Sequence, residues 1–251
     1  QTGNPSLQYK LQDNAASTVV DAEWGVDGTL RFAGNTSAMP SSGGPGTALP
    51  RYFALDGSND DINCLVGNEA VAQNKSALSL TTWFKIASGD LTAQACMVFL
   101  GGNDYEGLTK NSIRMFDNGK VYGGGRATDA GGGYAMLTDN TYHDNTWHHV
   151  ASVSNYASGS VVLYIDGLAV AQTAQGTPWA ETVTEDTSGI SNSIGSAAQA
   201  EYFKGGLADV RVYDFALTSG QVAAIIAEAN TAGGYTGTIF TSKANCNWSA
   251  G

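Results

Sequence analysis

"TWHHVASVSNYASGSVVLYIDGLAVAQ" (Thr146–Gln172) reads as three β-strands in series. Turn residues stand at Ser158-Gly159 and at Asp166-Gly167, and β-branched residues fill the stretches between them. In the middle strand Val161, Leu163 and Ile165 share one face, opposite Val162 and Tyr164. Apolar residues on both faces predict a central position in a sandwich of sheets.

The same alternation of strand and turn extends in both directions. "ALSLTTWFKI" (Ala77–Ile86) is strand-like, with aromatic and β-branched residues. "ACMVFLG" (Ala95–Gly101) is a near-continuous apolar run suited to the middle of a sheet. "SIRMFDNGKVYGGG" (Ser112–Gly125) predicts a hairpin, with Asn118-Gly119 supplying both positive φ values of a type I′ turn. One segment predicts a helix, "TSGQVAAIIAEA" (Thr218–Ala229), short and laid across one edge of the sandwich. Thr218 and Gln221 have capping-box spacing, and Val222, Ile225 and Ile226 form its apolar stripe. The first fifty residues read as strand-poor, with a Gly/Pro/Ser loop at Thr36–Pro50.

Composition agrees with short strands joined by polar turns. The 251 residues include 32 glycines, and only 14% of them are charged. The net charge of −11 disfavours a nucleic-acid partner, because phosphates would be repelled. No apolar run approaches the ~20 residues that span a bilayer. The chain starts at Gln1, which reads as a processed N-terminus of a secreted protein. Cys64, Cys96 and Cys246 are widely spaced and show no zinc pattern; one disulfide, or none, fits. Sequons stand at Asn35, Asn74 and Asn247.

Several runs occur in a recognisable order: "YFALDGSNDDINC" (Tyr52–Cys64), "ALSLTTWFKI", "NTWHHVASVSNYASGSVVLYIDGLAV" (Asn145–Val170) and "GLADVRVYDFALTSGQVAAI" (Gly206–Ile225). Together they resemble the laminin G-like domains of the concanavalin A-like lectin and glucanase superfamily, over roughly Leu7 to Ala229. The resemblance implies an all-β, antiparallel jelly-roll sandwich with one short C-terminal helix. The jelly-roll domain is expected over 1–234, with 235–251 as a tail that could contact other copies of the chain.

Asp209 interrupts a strand in "LADVRVY". Strict alternation places Ala208, Val210 and Val212 on the core face and turns Asp209 outward. The resemblance implies that this Asp binds a calcium ion, with Asp56 and Gly57 of the D-G turn contributing oxygens. Calcium takes ~6–8 oxygen ligands, which an Asp and a turn help to supply. The plain alternative is an Asp209–Arg211 or Asp209–Lys204 surface pair.

Catalysis is not indicated. Glycosidases of the resembled fold carry paired acids on one strand, whereas the acidic cluster here, Ala180–Gly189, reads as a loop. His143, His148 and His149 are the only histidines, and no nucleophile elbow occurs. The expectation is an extracellular, non-catalytic carbohydrate-binding or adhesion module for a glycan or glycoprotein. The loop residues Asn103, Asp104, Tyr105, Arg126, Asp129, Tyr134 and Trp179 are its candidate sugar contacts. The alternative is a structural subunit of an extracellular filament, surface layer or virion.

Overall fold

In the computed structural model the described residues are 3–13, 19–31, 40–64, 69–102, 109–185, 191–197 and 199–231. Among them, two antiparallel sheets face each other across one apolar core. The first sheet has the order β14 (Leu168–Ala169), β13 (Ser160–Ile165), β12 (His148–Asn155), β7 (Ala77–Lys85), β17 (Lys204–Tyr213), β5 (Leu49–Asp56) and β4 (Pro40–Gly46). The strand β1 (Leu7–Tyr9) also pairs with β17. The second sheet has the order β15 (Gln172–Gly176), β11 (Tyr134–Thr141), β10 (Lys120–Gly125), β9 (Asn111–Met115), β8 (Ala95–Gly102), β16 (Ser191–Ile194), β6 (Asp61–Asn63), β3 (Gly28–Arg31) and β2 (Val19–Val20). Leu78, Leu80 and Phe84 from the first sheet meet Val98, Ile113, Met115 and Val121 from the second in one buried cluster. The jelly-roll sandwich expected from the sequence is present.

The apolar run Ala95–Gly101 lies inside its sheet, between β9 and β16, as its continuous hydrophobicity predicts. The strand β13 departs from expectation, being second from the edge of its sheet. Its second apolar face is explained by the helix α1 (Ser219–Glu228), because Tyr164 packs into the cluster beneath that helix. The helix covers the outer face of the first sheet rather than an edge: Val222 and Ile225 bury against Ala151, Val153 and Tyr213. Its capping box forms as predicted, with the Thr218 hydroxyl accepting from Gln221 N and the Gln221 side chain accepting from Thr218 N. Thr218→Ala is expected to cost about 1 kcal/mol, read as a lowered midpoint of urea unfolding.

Part of the predicted N-terminal loop is a strand. The strand β4 lies at the sheet edge, where prolines are tolerated because no neighbour needs their missing N–H. Gly44 is required there, since a Cβ would stand 2.2 Å from the Leu49 carbonyl oxygen of β5. The β9–β10 hairpin forms, but Asn118 keeps negative φ and only Gly119 is left-handed, at +79°. The turn closes through Gly119 N donating to Phe116 O, so it is a three-residue connection with a glycine bulge. The Asp166-Gly167 turn does have two positive φ values, 51° and 85°.

The largest correction concerns β17. Asp209 has φ of +48°, and the register with β7 slips between Ala208 and Arg211. This is a β-bulge, and it breaks strict alternation. Leu207 and Val210 both reach the core, while Ala208 lies on the outer face in a small cluster with Trp83 and Leu49. The bulge stands where β17 changes partners. Lys204–Leu207 pair with β5, Val210–Val212 pair with β1, and Asp209 N donates to Lys10 O between them.

Candidate functional site

The Asp209 carboxylate is buried and fully engaged. One oxygen accepts from Gln8 Nε2 at 2.6 Å, and the other accepts from Arg211 Nε at 2.9 Å and Nη2 at 2.6 Å. Arg211 continues to Glu228 of α1 at 2.8 Å. Burial opposes the charge of this guanidinium, but Asp209 beside it outweighs burial and holds its pKa above the ordinary arginine value. The result is a polar junction tying together the first strand, the last strand and the helix.

This junction does not fit calcium. A guanidinium already occupies the face of the carboxylate that a cation would take. Asp56 is opposite Lys204, five residues from Asp209 along β17, roughly 16 Å at ~3.3 Å per residue. The Asp56 carboxylate instead accepts from Ser58 N at 2.7 Å, closing the turn, and Gly57 packs against Lys204. Lys204 pairs with Asp90 at 2.7 Å rather than with Asp209. Among the described residues no three His, Cys, Asp or Glu side chains stand close enough to share a metal.

A pocket of about 140 Å³ opens on the outer face of the second sheet. Ser112 and Arg114 line it from β9, Tyr122 and Gly124 from β10, and Thr109, Arg126 and Gly133 from the adjoining loops. Local structure explains the placement. Ile113 and Met115 point into the core, so Ser112 and Arg114 point away from it. The hairpin register sets Tyr122 opposite Arg114 and Gly124 opposite Ser112. Gly124 has φ of +137° and keeps the floor clear of side chains.

The side chains around the pocket are held in place. Arg114 Nη1 lies 3.0 Å from Glu201 Oε2, and Gln94 Nε2 donates to Glu201 Oε1 at 2.8 Å. Arg114 Nε donates to Ser112 Oγ at 3.2 Å. Its guanidinium stands 6.0 Å from the Phe99 ring centroid. Tyr122 stacks on Phe116 with centroids 5.6 Å apart, and burial raises the pKa of its phenol, keeping the O–H as a donor. The Arg126 side chain donates to Gly131 O at 3.3 Å.

Of the loop candidates read from the sequence, Arg126 is the one that lines this pocket. Asn103, Asp104 and Tyr105 lie outside the described residues. Tyr134 and Trp179 are buried instead, with ring centroids 5.4 Å apart, and Trp179 Nε1 donates to Gly125 O at 3.0 Å. They support the pocket wall from behind and offer no face to solvent. Asp129 accepts from the buried Lys110 Nζ at 2.6 Å, as does Glu185 at 3.0 Å. Arg114 and Tyr122 are absent from the sequence candidates, although the predicted hairpin already contains both. Cys64 and Cys96 are buried free thiols, each with a pKa pushed up to about 12 by burial, and Cys246 lies outside the described residues.

Residues 56–223 match a laminin G-like family model of the concanavalin A-like lectin/glucanases superfamily. The chain belongs to that superfamily. No curated protein matches it in sequence. Among solved structures, the family member is similar to the carbohydrate-binding module (CBM40) of the Ruminococcus gnavus IT-sialidase, bound to α2,3-sialyllactose. The TM-score is 0.56 at 16% identity, covering 70% of this chain and 96% of that one. It is also similar to domain 4 of AbnA, an extracellular arabinanase from Geobacillus stearothermophilus, in complex with arabinotriose. There the TM-score is 0.56 at 19% identity, covering 88% and 98%. The binding domain of botulinum neurotoxin serotype D matches with a TM-score of 0.60 at 15% identity, covering 89% of this chain and half of that one. At these identities the likeness is one of fold.

Proposed function

We propose that this laminin G-like domain is a non-catalytic carbohydrate-binding module, acting outside the cell, that holds a glycan in the pocket between Arg114, Tyr122 and Arg126. The pocket lining carries this reading. It combines an aromatic phenol, two guanidiniums and two hydroxyl side chains, which are the donors that sugar oxygens accept from, on a floor kept open by glycine. Two solved structures of like fold hold oligosaccharides, sialyllactose in one and arabinotriose in the other.

The lining also supports binding over hydrolysis. Glycoside cleavage uses two carboxyl groups about 5–10 Å apart on either side of the scissile bond. Among the described residues no Asp or Glu lines this pocket. Glu185, the nearest thing to a catalytic acid in the Ala180–Gly189 run, is held ionised: contacts with Lys110 and Asp129 outweigh burial and lower its pKa. The expected outcome is retention of the chain on a glycan array, with no reducing ends released from arabinan, β-glucan or sialylated glycoprotein. Sugar release that disappears in Glu185→Gln would sink the non-catalytic reading. The alternative of a self-assembling subunit rests on 235–251, which lie outside the described residues.

A further inference from the structure

We infer that the pocket is selective for a sugar carrying a carboxylate, gripped between Arg126 and Arg114. This rests on the reading of the pocket as a glycan site and names the class of sugar. The chain has only 12 lysines and arginines against a net charge of −11, and two of those cations line one small pocket. Among the described residues no acidic side chain lines it with them, and of the two only Arg114 has an acidic partner, Glu201, at 3.0 Å. Over most of such a surface an anion is repelled, so a local pair of guanidiniums marks a place where one is admitted.

The two arginines differ in a way that suits capture. Arg114 is fixed by Glu201, itself held by Gln94, and by Ser112, and these set the orientation of its planar fork. Arg126 has no carboxylate partner among the described residues, and its side chain gives a single long hydrogen bond to a carbonyl. A guanidinium bound to a carboxylate makes paired, charge-assisted hydrogen bonds that a neutral hydroxyl cannot match. Tyr122 stands opposite Arg114 across the hairpin and adds a phenolic donor. The space of about 140 Å³ is well below the ~300–1,000 Å³ of pockets that enclose a whole small molecule. It therefore takes one terminal residue, charged end first, and leaves the remaining glycan in solvent.

Two substitutions test this without disturbing the core. Arg126→Gln removes the charge of the half-buried arginine. Gly133→Leu fills the pocket, because a Cβ at Gly133 meets nothing closer than 3.9 Å and φ there is not left-handed. Calorimetric titration of the 251-residue chain would use 3′-sialyllactose and trigalacturonic acid, each against its neutral counterpart, lactose and the trigalacturonate methyl ester. At least one acidic probe is expected to bind in preference to its neutral counterpart and to weaken as sodium chloride is raised. Arg126→Gln is expected to lose about tenfold or more in affinity, the scale of one charge-assisted contact, and Gly133→Leu to abolish binding, both with unchanged melting temperature. Equal affinity for acidic and neutral partners, or acidic binding that survives both substitutions, overturns the charge selectivity and leaves the glycan reading standing. If neither these probes nor a broad glycan array gives any binding, the glycan reading itself fails.

Discussion

Asp209→Asn is expected to lower stability by about 3 kcal/mol, at the low end of the ~3–5 kcal/mol for breaking a buried ion pair. For a chain of this size that is a fall of roughly 6–12 °C in melting temperature. Asparagine keeps the size of the side chain and tolerates the left-handed φ of +48°, so the backbone penalty is small and the lost charge dominates. Arg211 is left as a buried cation whose remaining carboxylate, Glu228, is itself partly exposed. That surviving partner is why the low end of the range applies. Glu228→Gln, which leaves the Asp209–Arg211 contact intact, should cost far less. A chelator discriminates this account from a calcium site at Asp209. Excess EDTA should leave the wild-type melting curve where it is and leave the Asp209→Asn deficit unchanged. A wild-type curve that falls with EDTA to meet the variant would reinstate the metal.

The residues of β17 also mark how far the sequence could be read. Period-2 alternation identified the strand and its neighbours, because side-chain burial on a pleated sheet follows that period closely. It failed at one point. A bulge inserts a residue without changing composition, and it moved Leu207 into the core and Ala208 out of it. The need for that bulge arises from β1 and β5 meeting at the same edge of β17, which is tertiary information. The site was legible in a similar measure. Arg126 is legible because it stands in a glycine-rich loop, where a long polar side chain reaches solvent. Arg114 and Tyr122 are not legible as a pair, because a two-residue turn at Asn118-Gly119 would set Arg114 opposite Gly123, and only the three-residue connection with its glycine bulge brings it opposite Tyr122. Trp179 misled because sequence alone cannot separate an aromatic ring that offers its face from one that seals a pocket wall from within.

Stability should fall as pH is lowered from about 6.5 to 4, and His149 should carry much of the fall. Its imidazole is fully buried on β12, edge-on to Trp83 at 5.2 Å, and neither ring nitrogen has a hydrogen-bond partner. Burial pushes its pKa down from 6.5 to about 4, partly offset by the charge of Asp209, with Arg211 adding to the depression and Asp166 opposing it. Between those two values the unfolded chain binds a proton that the folded chain refuses. Stability from this group is therefore complete above 6.5 and is lost as pH falls, to a total of about 3 kcal/mol by pH 4, at 1.36 kcal/mol per unit. Its neighbour behaves in the opposite sense. His148 has its pKa raised by a 2.8 Å contact with Asp166, so its contribution is complete below 6.5 and fades as pH rises above that value. Together the vicinal pair places a maximum near pH 6.5. His149→Phe keeps a ring against Trp83 and removes the two unpartnered ring nitrogens. Its urea-unfolding free energy should match or exceed wild type at pH 4.5 and approach it at pH 7.5. A constant difference between the two proteins across that range would show that His149 does not set the acid limb.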